Sequence, residues 1–478
     1  MSGRFSGKGN ARTNTYLIIA IIVCALILAA LLIFVSVADF GKPTEGTSTP
    51  SSSDNASTPS SSVTTSPTQG NPTPEEVTAL IEKADFIAAG YDYQKAISML
   101  QAFPNYSDYP ILAEKVAAYQ EADSKLVVYK DNRNITHIFF HSLIADTDRC
   151  FDGDSDAASY NLYMTTVDEF NAILEQMYER GYVLISPYDM AHEVTDETGT
   201  HFAYGKIRLP EGKIPFMMSQ DDLNYYSYMI GSIDGRYEVP EFVTENCDGF
   251  AHKIVIGEDG YPTCEYLDKD GNIVTGDYDL VPLLERFIQK HPDFSYHGAR
   301  AMLGVTGFEG VLGYRTKPKF EAAMGSEAYA KEVADAKAVA QCLKDHGWLI
   351  VSHSWGHPAY GNISADRVER DSDRWEEDVQ PIVGDTDIIL FPHGSDIHTW
   401  HQYPADNAKF AALYKDGYRY FFNVDGNTWN QLGPNYFRGG RRNLDGYRMY
   451  HEPELLEDLF DVATVFDPKR PTPVPTIN

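Results

Sequence analysis

The sequence predicts an α/β domain in which helices alternate with parallel strands, arranged as a sheet or a barrel. The first indication is a series of short apolar runs, each as long as a buried strand, that begins after Leu126. The second is that amphipathic helical patterns separate several of these runs. The runs are residues 136–140, 182–185, 214–218, 301–305, 349–351, 388–391 and 418–423, and the helical patterns are residues 166–180, 280–290 and 329–346.

The N-terminal region predicts a membrane anchor. Residues 16–38 carry no charge and would form a helix about 34 Å long, enough to cross a bilayer. Basic residues precede this segment and Asp39 is the first charge after it, so we expect residues 1–15 in the cytoplasm and everything after Phe40 outside. The alternative is a signal peptide cleaved after Ala38. Both interpretations predict an extracytoplasmic protein held at, or released from, the cell membrane.

Residues 39–74 are rich in Ser, Thr and Pro, which predicts a solvated linker without a core. Thr73 and Glu76 form the pattern of a capping box and predict a helix start. Residues 75–125 then resemble one helical-hairpin repeat of the tetratricopeptide kind. We interpret them as a spacer or docking module for a protein partner; the alternative is that these helices pack onto the next domain.

Residues 126–478 form the predicted main domain, and about residues 232–277 interrupt it with an acidic segment that predicts a small β meander. The net charge of −30 disfavours nucleic acid as a partner, because an acidic surface repels phosphate backbones. The chain has no C-x-x-C pair. Cys247 and Cys264 are compatible with one disulfide or with two free thiols.

Chemically active residues follow four of the apolar runs. His141 comes directly after the first run, Asp221 and Asp222 follow the third, and His353 follows the fifth. Residues 392–393, Pro-His, follow the sixth. In a βα barrel the C-terminal ends of parallel strands converge on one face, where such folds place their sites. The sequence therefore predicts a site at this face.

Residue type and spacing in two of these segments predict metal binding. His353 and His357 are four residues apart, close enough to bind one ion. Ser354 stands where a zincin metalloprotease needs its catalytic Glu, which excludes that class. Side chains alternate along a strand, so Asp221 and Asp222 should point in different directions, one to a metal and the other to substrate.

Taken together, the motifs resemble those of the polysaccharide deacetylase family, also called the NodB homology domain. Residues 219–223, Ser-Gln-Asp-Asp-Leu, resemble its first motif, Thr-Phe-Asp-Asp-Gly, and residues 353–358, His-Ser-Trp-Gly-His-Pro, match its second. Residues 391–394, Phe-Pro-His-Gly, resemble the third motif of the branch of poly-N-acetylglucosamine deacetylases. The Phe-His at residues 140–141 is similar to the Tyr-His strand end of that branch.

The resemblance implies a distorted (β/α) barrel and a role for each motif residue. Asp222, His353 and His357 would hold a divalent metal ion, with zinc expected. Asp221 would be the catalytic base and His141 the acid, with His451 as the alternative acid. The residues expected to bind substrate are Trp355, Pro392, His393 and Tyr225.

The function implied is metal-dependent removal of N-acetyl or O-acetyl groups from a cell-wall or extracellular polysaccharide. Gln220, Leu223 and His393 depart from the family pattern. They leave open a catalytically impaired glycan-binding or scaffold protein at the cell surface. A second alternative is a glycoside hydrolase, although adjacent carboxylates do not give the separation of roughly 5 to 10 Å that such enzymes use.

Overall fold

The computed structural model describes residues 73–230 and 247–477. These residues belong to one compact unit, Asn71–Asn478. The predicted transmembrane helix at residues 16–38, the segment before it and nearly all of the linker lie outside the described residues. Within the two described ranges, no helix combines the length and apolar character needed to cross a membrane.

The described strands and helices are numbered in chain order. The strands are β1 (Val127–Val128), β2 (Thr136–Phe140), β3 (Tyr182–Leu184), β4 (Ala191–Asp196), β5 (Gly199–Tyr204), β6 (Arg208–Leu209), β7 (Ile214–Gln220), β8 (Lys253–Ile256), β9 (Pro262–Leu267), β10 (Ile273–Gly276), β11 (Met302–Val305), β12 (Leu349–Ser352), β13 (Ile388–Leu390), β14 (Tyr420–Val424), β15 (Asn430–Leu432) and β16 (Phe437–Asn443). The helices are α1 (Pro74–Ala89), α2 (Tyr93–Gln101), α3 (Pro110–Ser124), α4 (Thr147–Cys150), α5 (Ala157–Tyr163), α6 (Val167–Glu179), α7 (Pro187–Met190), α8 (Ser227–Ile230), α9 (Leu280–Lys290), α10 (Glu321–Met324), α11 (Ser326–Asp345), α12 (Ala365–Asp378), α13 (Gln380–Val383), α14 (Ala408–Lys415), α15 (Gly446–His451) and α16 (Val462–Val465).

Seven parallel strands close into a barrel. β7 pairs with β11, and the pairing continues through β12, β13, β14 and β16 to β2, which pairs with β7 and completes the ring. Helices lie between successive strands along most of the ring, including α11 before β12 and α12 before β13. The prediction of a (β/α) barrel is confirmed, with seven strands in the closed ring.

The strand predictions from sequence are correct for six of the seven ring strands. The run at residues 182–185 forms β3, which pairs with β7 but stays outside the ring. The seventh ring strand is β16, which the apolar pattern misses because its sequence, Phe-Arg-Gly-Gly-Arg-Arg-Asn, contains three arginines. The hairpin of β4 and β5 is also absent from the sequence predictions.

Successive side chains of each ring strand face the barrel interior and the surrounding helices in turn, as strand geometry requires. On β7, Met217 packs with Met302, Val351 and Phe422 of other ring strands inside the barrel. Phe216 and Met218 instead belong to the larger core that includes helix residues such as Phe170. Asp221 is on the interior side because it continues the alternation from Met217.

The segment predicted as a β meander contains three described strands. β8, β9 and β10 form a three-stranded antiparallel sheet, and residues 231–246 lie outside the described residues. Cys247 and Cys264 are both free thiols, which rules out the disulfide left open by the sequence. Cys264 is buried and donates to the carbonyl of Gly276.

The helical module predicted at residues 75–125 contains three helices, α1, α2 and α3, and packs onto the barrel. The ring of Tyr91 stacks on Tyr296 at 6.4 Å, and Arg208 forms a 2.8 Å ion pair with Asp123. Tyr296 precedes β11 and Arg208 immediately precedes the segment leading to β7, so these contacts are at the N-terminal end of the barrel. The module is therefore opposite to the C-terminal strand ends; a protein partner for it stays a prediction.

Candidate metal centre and active site

The C-terminal strand ends bring together residues that are far apart in the sequence. Asp221 follows β7, and its backbone N–H extends the ladder by donating to the carbonyl of Phe140 at 2.8 Å. His353 follows β12 and donates in the same way to Val305 at 3.0 Å. Because the ring strands are parallel, these residues and His141 lie at one end of the barrel.

Asp222, His353 and His357 form a group that can hold a metal ion. Their ligand atoms all lie within 4.8 Å of one another. Nε2 of His357 is 3.6 Å, and Nε2 of His353 3.9 Å, from Oδ2 of Asp222. Two imidazole nitrogens and one carboxylate oxygen are ligands typical of a catalytic zinc site with an open position.

The orientation of His353 favours this role. Its Nδ1 lies 2.8 Å from the carbonyl oxygen of Leu390, at the end of β13. A carbonyl only accepts, so Nδ1 carries the proton and the neutral ring presents the lone pair of Nε2 to Asp222 and His357. Burial lowers the pKa of His357, although the negative charge of Asp222 acts in the opposite direction, and this favours the neutral ring that a metal requires.

The backbone at the site is held in left-handed conformations. Asp222, Ser354, His357 and His393 have φ between 54° and 65°, and they are four of the nine non-glycine residues with positive φ in the described part of the chain. Such conformations cost about 1–3 kcal/mol each and cluster at functional sites. Their concentration around the triad indicates that surrounding contacts fix these side chains in place.

Asp221 lies beside the triad but is held by an arginine. Oδ1 of Asp221 accepts a 2.5 Å bond from Nη1 of Arg441, while its Oδ2 is 3.8 Å from Nε2 of His353. Burial alone would raise the pKa of Asp221, but the Arg441 guanidinium and His353 lower it overall. Asp221 is thus an ionised carboxylate with one oxygen fixed and the other facing the triad.

Arg441 is the site residue that the sequence analysis misses. It lies on β16, is fully buried, and also donates to Ser219 and to the carbonyl of Asn423. The available signal was the run of arginines at residues 438–442 in an acidic chain. Buried cations require partners, so this run could have indicated carboxylates close by.

Asp222 is supported from the other side by an aromatic residue. The hydroxyl of Tyr226 donates to Oδ1 of Asp222 at 2.7 Å and lies 2.8 Å from the hydroxyl of Thr306. Burial would raise the pKa of Asp222, but His357 and His353 lower it overall. The carboxylate that faces the two histidines is therefore both ionised and oriented.

The substitution of Gln220 for the family Phe belongs to a buried network beneath the site. Its side-chain amide donates to both carboxylate oxygens of Asp279 at 3.0 Å. The hydroxyl of Tyr225 also donates to Asp279, and its ring is fully buried. Tyr225 has no exposed surface that a sugar could contact, so its predicted role in substrate binding is wrong: the ring lies in the core and its hydroxyl is bonded to Asp279.

His141, the predicted acid, is half-buried at the end of β2. Its Nδ1 lies 3.1 Å from the carbonyl oxygen of Tyr163 and therefore carries the proton. His141 is among the groups whose charge acts on both Asp221 and Asp222, so its ring is close to the triad. The alternative acid, His451, instead has its Nε2 near the carbonyls of Val474 and Pro475 in the C-terminal segment.

The other predicted substrate-binding residues differ in their surroundings. Trp355 is half-buried, donates to Asp378 and has the Arg374 guanidinium 3.2 Å from its ring centroid, so the ring already has partners. Pro392 is buried. His393 is exposed, and its ring centroid is 4.5 Å from that of His357. Its contact with substrate stays a prediction.

The described ranges contain two further groups of acidic residues whose carboxylate oxygens also lie within 4.8 Å of one another. They contain carboxylates only: Asp154, Asp156 and Asp248 in one group, and Asp373, Glu376 and Asp416 in the other. Among the three groups, histidine and carboxylate ligands therefore occur together only at the strand ends.

Comparisons with known proteins give no family for this chain. No protein-family model and no curated protein matches it. Two solved structures do: the Streptococcus pyogenes deacetylase PplD in complex with acetate, 14% identical with a TM-score of 0.32, and a de-N-acetylase from Aggregatibacter actinomycetemcomitans, 12% identical with a TM-score of 0.36. Both matches cover 68% of this chain and 98% or 99% of the other. Similarity at this level does not establish a function for this chain.

Proposed function

We propose that this protein is a metal-dependent hydrolase that removes N-acetyl or O-acetyl groups from a cell-wall or extracellular polysaccharide. One observation carries the proposal: a carboxylate, Asp221, has one oxygen held by Arg441 and the other 3.8 Å from a ligand nitrogen of a His-His-Asp group. Metal-dependent hydrolysis of an amide uses a Lewis acid, a base for water and an acid for the leaving amine, and the strand ends offer residues that could hold the first and act as the other two.

The donor set fits a divalent ion, with zinc expected. Asp222, His353 and His357 would hold it, and the contact of His353 with the Leu390 carbonyl already orients one ligand nitrogen. When bound, the ion supplies Lewis acidity toward the acetyl carbonyl. The same ligands could bind another divalent metal ion.

Asp221 acts as the base. Its Oδ2 takes a proton from the attacking water, while Arg441 keeps Oδ1 from rotating into that position. The same ion pair keeps the carboxylate ionised, because the Arg441 guanidinium and His353 hold the pKa of Asp221 below its ordinary value despite burial. The carboxylate is therefore ionised and oriented, so that it is available to accept the proton.

His141 acts as the acid. Nδ1–H donates to the Tyr163 carbonyl, so in the imidazolium form, protonated on both nitrogens, Nε2 is the atom that gives its proton to the departing nitrogen or oxygen. The ring is half-buried, so it keeps access to substrate. His451 is bonded through Nε2 to the C-terminal segment, which disfavours it for this role.

The proposed location is the outer face of the cell membrane. It rests on the uncharged segment at residues 16–38 and on the linker rich in Ser, Thr and Pro at residues 39–74. An anchor followed by a solvated linker would let the barrel reach a wall or an extracellular polymer.

The test is release of acetate from a panel of N- and O-acetylated oligosaccharides, with zinc and after chelation. We expect release with zinc and none after chelation. Metal binding without release from any acetylated glycan would favour a glycan-binding or scaffold protein, and the appearance of reducing ends would favour a glycoside hydrolase.

A second experiment separates the two candidate acids. His141→Ala should keep its metal and lose about 10²-fold or more in rate, the usual contribution of an acid or base. His451→Ala is the matched control. An active His141→Ala beside an inactive His451→Ala would assign the role of acid to His451.

A further inference from the structure

Two exposed aromatic rings lie next to the metal-ligand Asp222. Tyr228 is on α8, a few residues after β7, and Phe308 follows β11, the neighbour of β7 in the ring. Each residue has 42% of its surface exposed. Exposed aromatic residues that occur singly need no explanation, but two beside one site form a surface with a role to assign.

Tyr226 connects both rings to Asp222. Its hydroxyl bonds the Asp222 carboxylate at 2.7 Å, and its ring centroid is 5.8 Å from those of both neighbours. Tyr228 is nearly parallel to Tyr226, at 14°, and Phe308 meets it edge-on, at 80°. Tyr226 itself is 8% exposed, so Tyr228 and Phe308 are the members of this cluster that face solvent.

The backbone at Phe308 is fixed to the motif that carries the two histidines. Gly307 donates to the carbonyl of Trp355 at 2.9 Å, and a Cβ on Gly307 would come within 2.3 Å of the Trp355 ring. The ammonium of Lys317 donates to the carbonyl of Phe308 at 2.9 Å. These contacts fix the backbone that carries the ring, so less freedom is lost on binding, which favours affinity.

We infer that Phe308 and Tyr228 form a platform on which a sugar ring of the substrate stacks, next to the sugar whose acetyl group is removed. The inference rests on the proposed function and adds to it a binding site for a second sugar of the glycan chain. The apolar C–H face of a pyranose suits the electron-rich face of an aromatic ring. Both rings contact Tyr226, the partner of the metal-ligand Asp222, so the platform lies beside the proposed site of reaction.

The experiment compares KM and kcat for the pentasaccharide of N-acetylglucosamine and for the monosaccharide. Phe308→Ala and Tyr228→Ala should each raise KM for the pentasaccharide about tenfold, about 1.4 kcal/mol of binding, with the loss in KM rather than in kcat. Tyr228→Phe keeps the ring and should restore the KM. The advantage of the pentasaccharide over the monosaccharide should shrink in both alanine variants.

Phe86→Ala is the matched control, because Phe86 is also a phenylalanine exposed by 42% but lies on α1, at the far end of the barrel. Its KM should equal that of the wild type. Thermal unfolding of the variants checks that the folds are intact.

The outcomes distinguish this inference from the proposed function. Acetate release with unchanged KM in Phe308→Ala and Tyr228→Ala overturns the platform and leaves the deacetylase standing. Without acetate release by the wild type, the proposed activity on this glycan fails, and equilibrium binding of the pentasaccharide decides. Weaker binding by the alanine variants than by the wild type supports the platform; equal binding, or none by the wild type, overturns it.

Discussion

Two strands of the same barrel, β7 and β16, supply the two partners of one ion pair, but β7 is largely apolar and β16 contains three arginines. β7 reads Ile-Pro-Phe-Met-Met-Ser-Gln and ends at Asp221, whereas β16 reads Phe-Arg-Gly-Gly-Arg-Arg-Asn and carries Arg441. Six of seven residues of each strand are buried. A buried barrel strand can therefore carry several cationic side chains if each of them has an acceptor.

Each arginine of β16 has a carboxylate partner, but the partners differ in burial. Arg441 pairs with Asp221 and Arg438 pairs with Asp396, whose side chains are 4% and 8% exposed. Arg442 pairs with Asp458, whose side chain is 54% exposed. Within one strand, the three pairs therefore allow two losses of stability to be compared: that from breaking a buried ion pair and that from breaking an exposed one.

Loss of Arg441 should have the largest effect. Arg441→Met leaves the Asp221 carboxylate buried without its cation and should lower the free energy of unfolding by about 3–5 kcal/mol. The same change releases the base, so acetate release should be lost as well. Urea unfolding and the acetate assay measure the two effects.

The double variant Arg441→Met with Asp221→Asn tests the physical cause. Removal of both charges should cost clearly less stability than the sum of the two single changes, because no uncompensated charge stays buried. Additive losses would show that the ion pair is not what stabilises these strand ends.

The two remaining pairs give the intermediate and small effects. Asp396→Asn leaves Arg438, which is fully buried, with only neutral acceptors and should cost about 2–3 kcal/mol. Asp458→Asn changes an exposed partner and should cost about 1 kcal/mol or less. Equal losses in urea unfolding would contradict the dependence on burial.

Asp248 differs from these carboxylates, because its hydrogen-bond donor in the described part of the chain is a hydroxyl and not a guanidinium. The side chain of Asp248 is buried with the Tyr160 hydroxyl as its partner, and burial raises its pKa to about 6. The folded state then holds a proton that the unfolded state releases, so this group lowers stability as pH rises from about 4 to about 6.

Asp248→Asn should remove that slope and gain about 1 kcal/mol at pH 7, a figure reduced for solvent screening. The measurement is urea unfolding at pH 4 and pH 7 with a chelator present. A variant whose stability keeps the wild-type dependence on pH would show that Asp248 is ionised across the whole range.

Sequence could predict the residues whose surroundings are local. His353 and His357 are one motif on one strand end, and the runs that form β2, β7 and β12 are apolar because both faces of a ring strand are buried. The apolar pattern does not predict β16, because the strand contains arginines. Their charges are neutralised by carboxylates from other parts of the chain: Asp221, Asp396 and Asp458. The role of Tyr225 was predicted wrongly for a similar reason, since its partner Asp279 is 54 residues away in the sequence.

The most direct test of the account is the metal content and rate of two variants of the Asp pair. Asp222→Asn removes a ligand and should lose both the bound metal and activity. Asp221→Asn keeps all three ligands, so it should retain one divalent ion per chain and lose about 10²- to 10⁴-fold in rate. Equal metal content in the two variants would contradict the division of roles between Asp221 and Asp222, and with it the proposed mechanism.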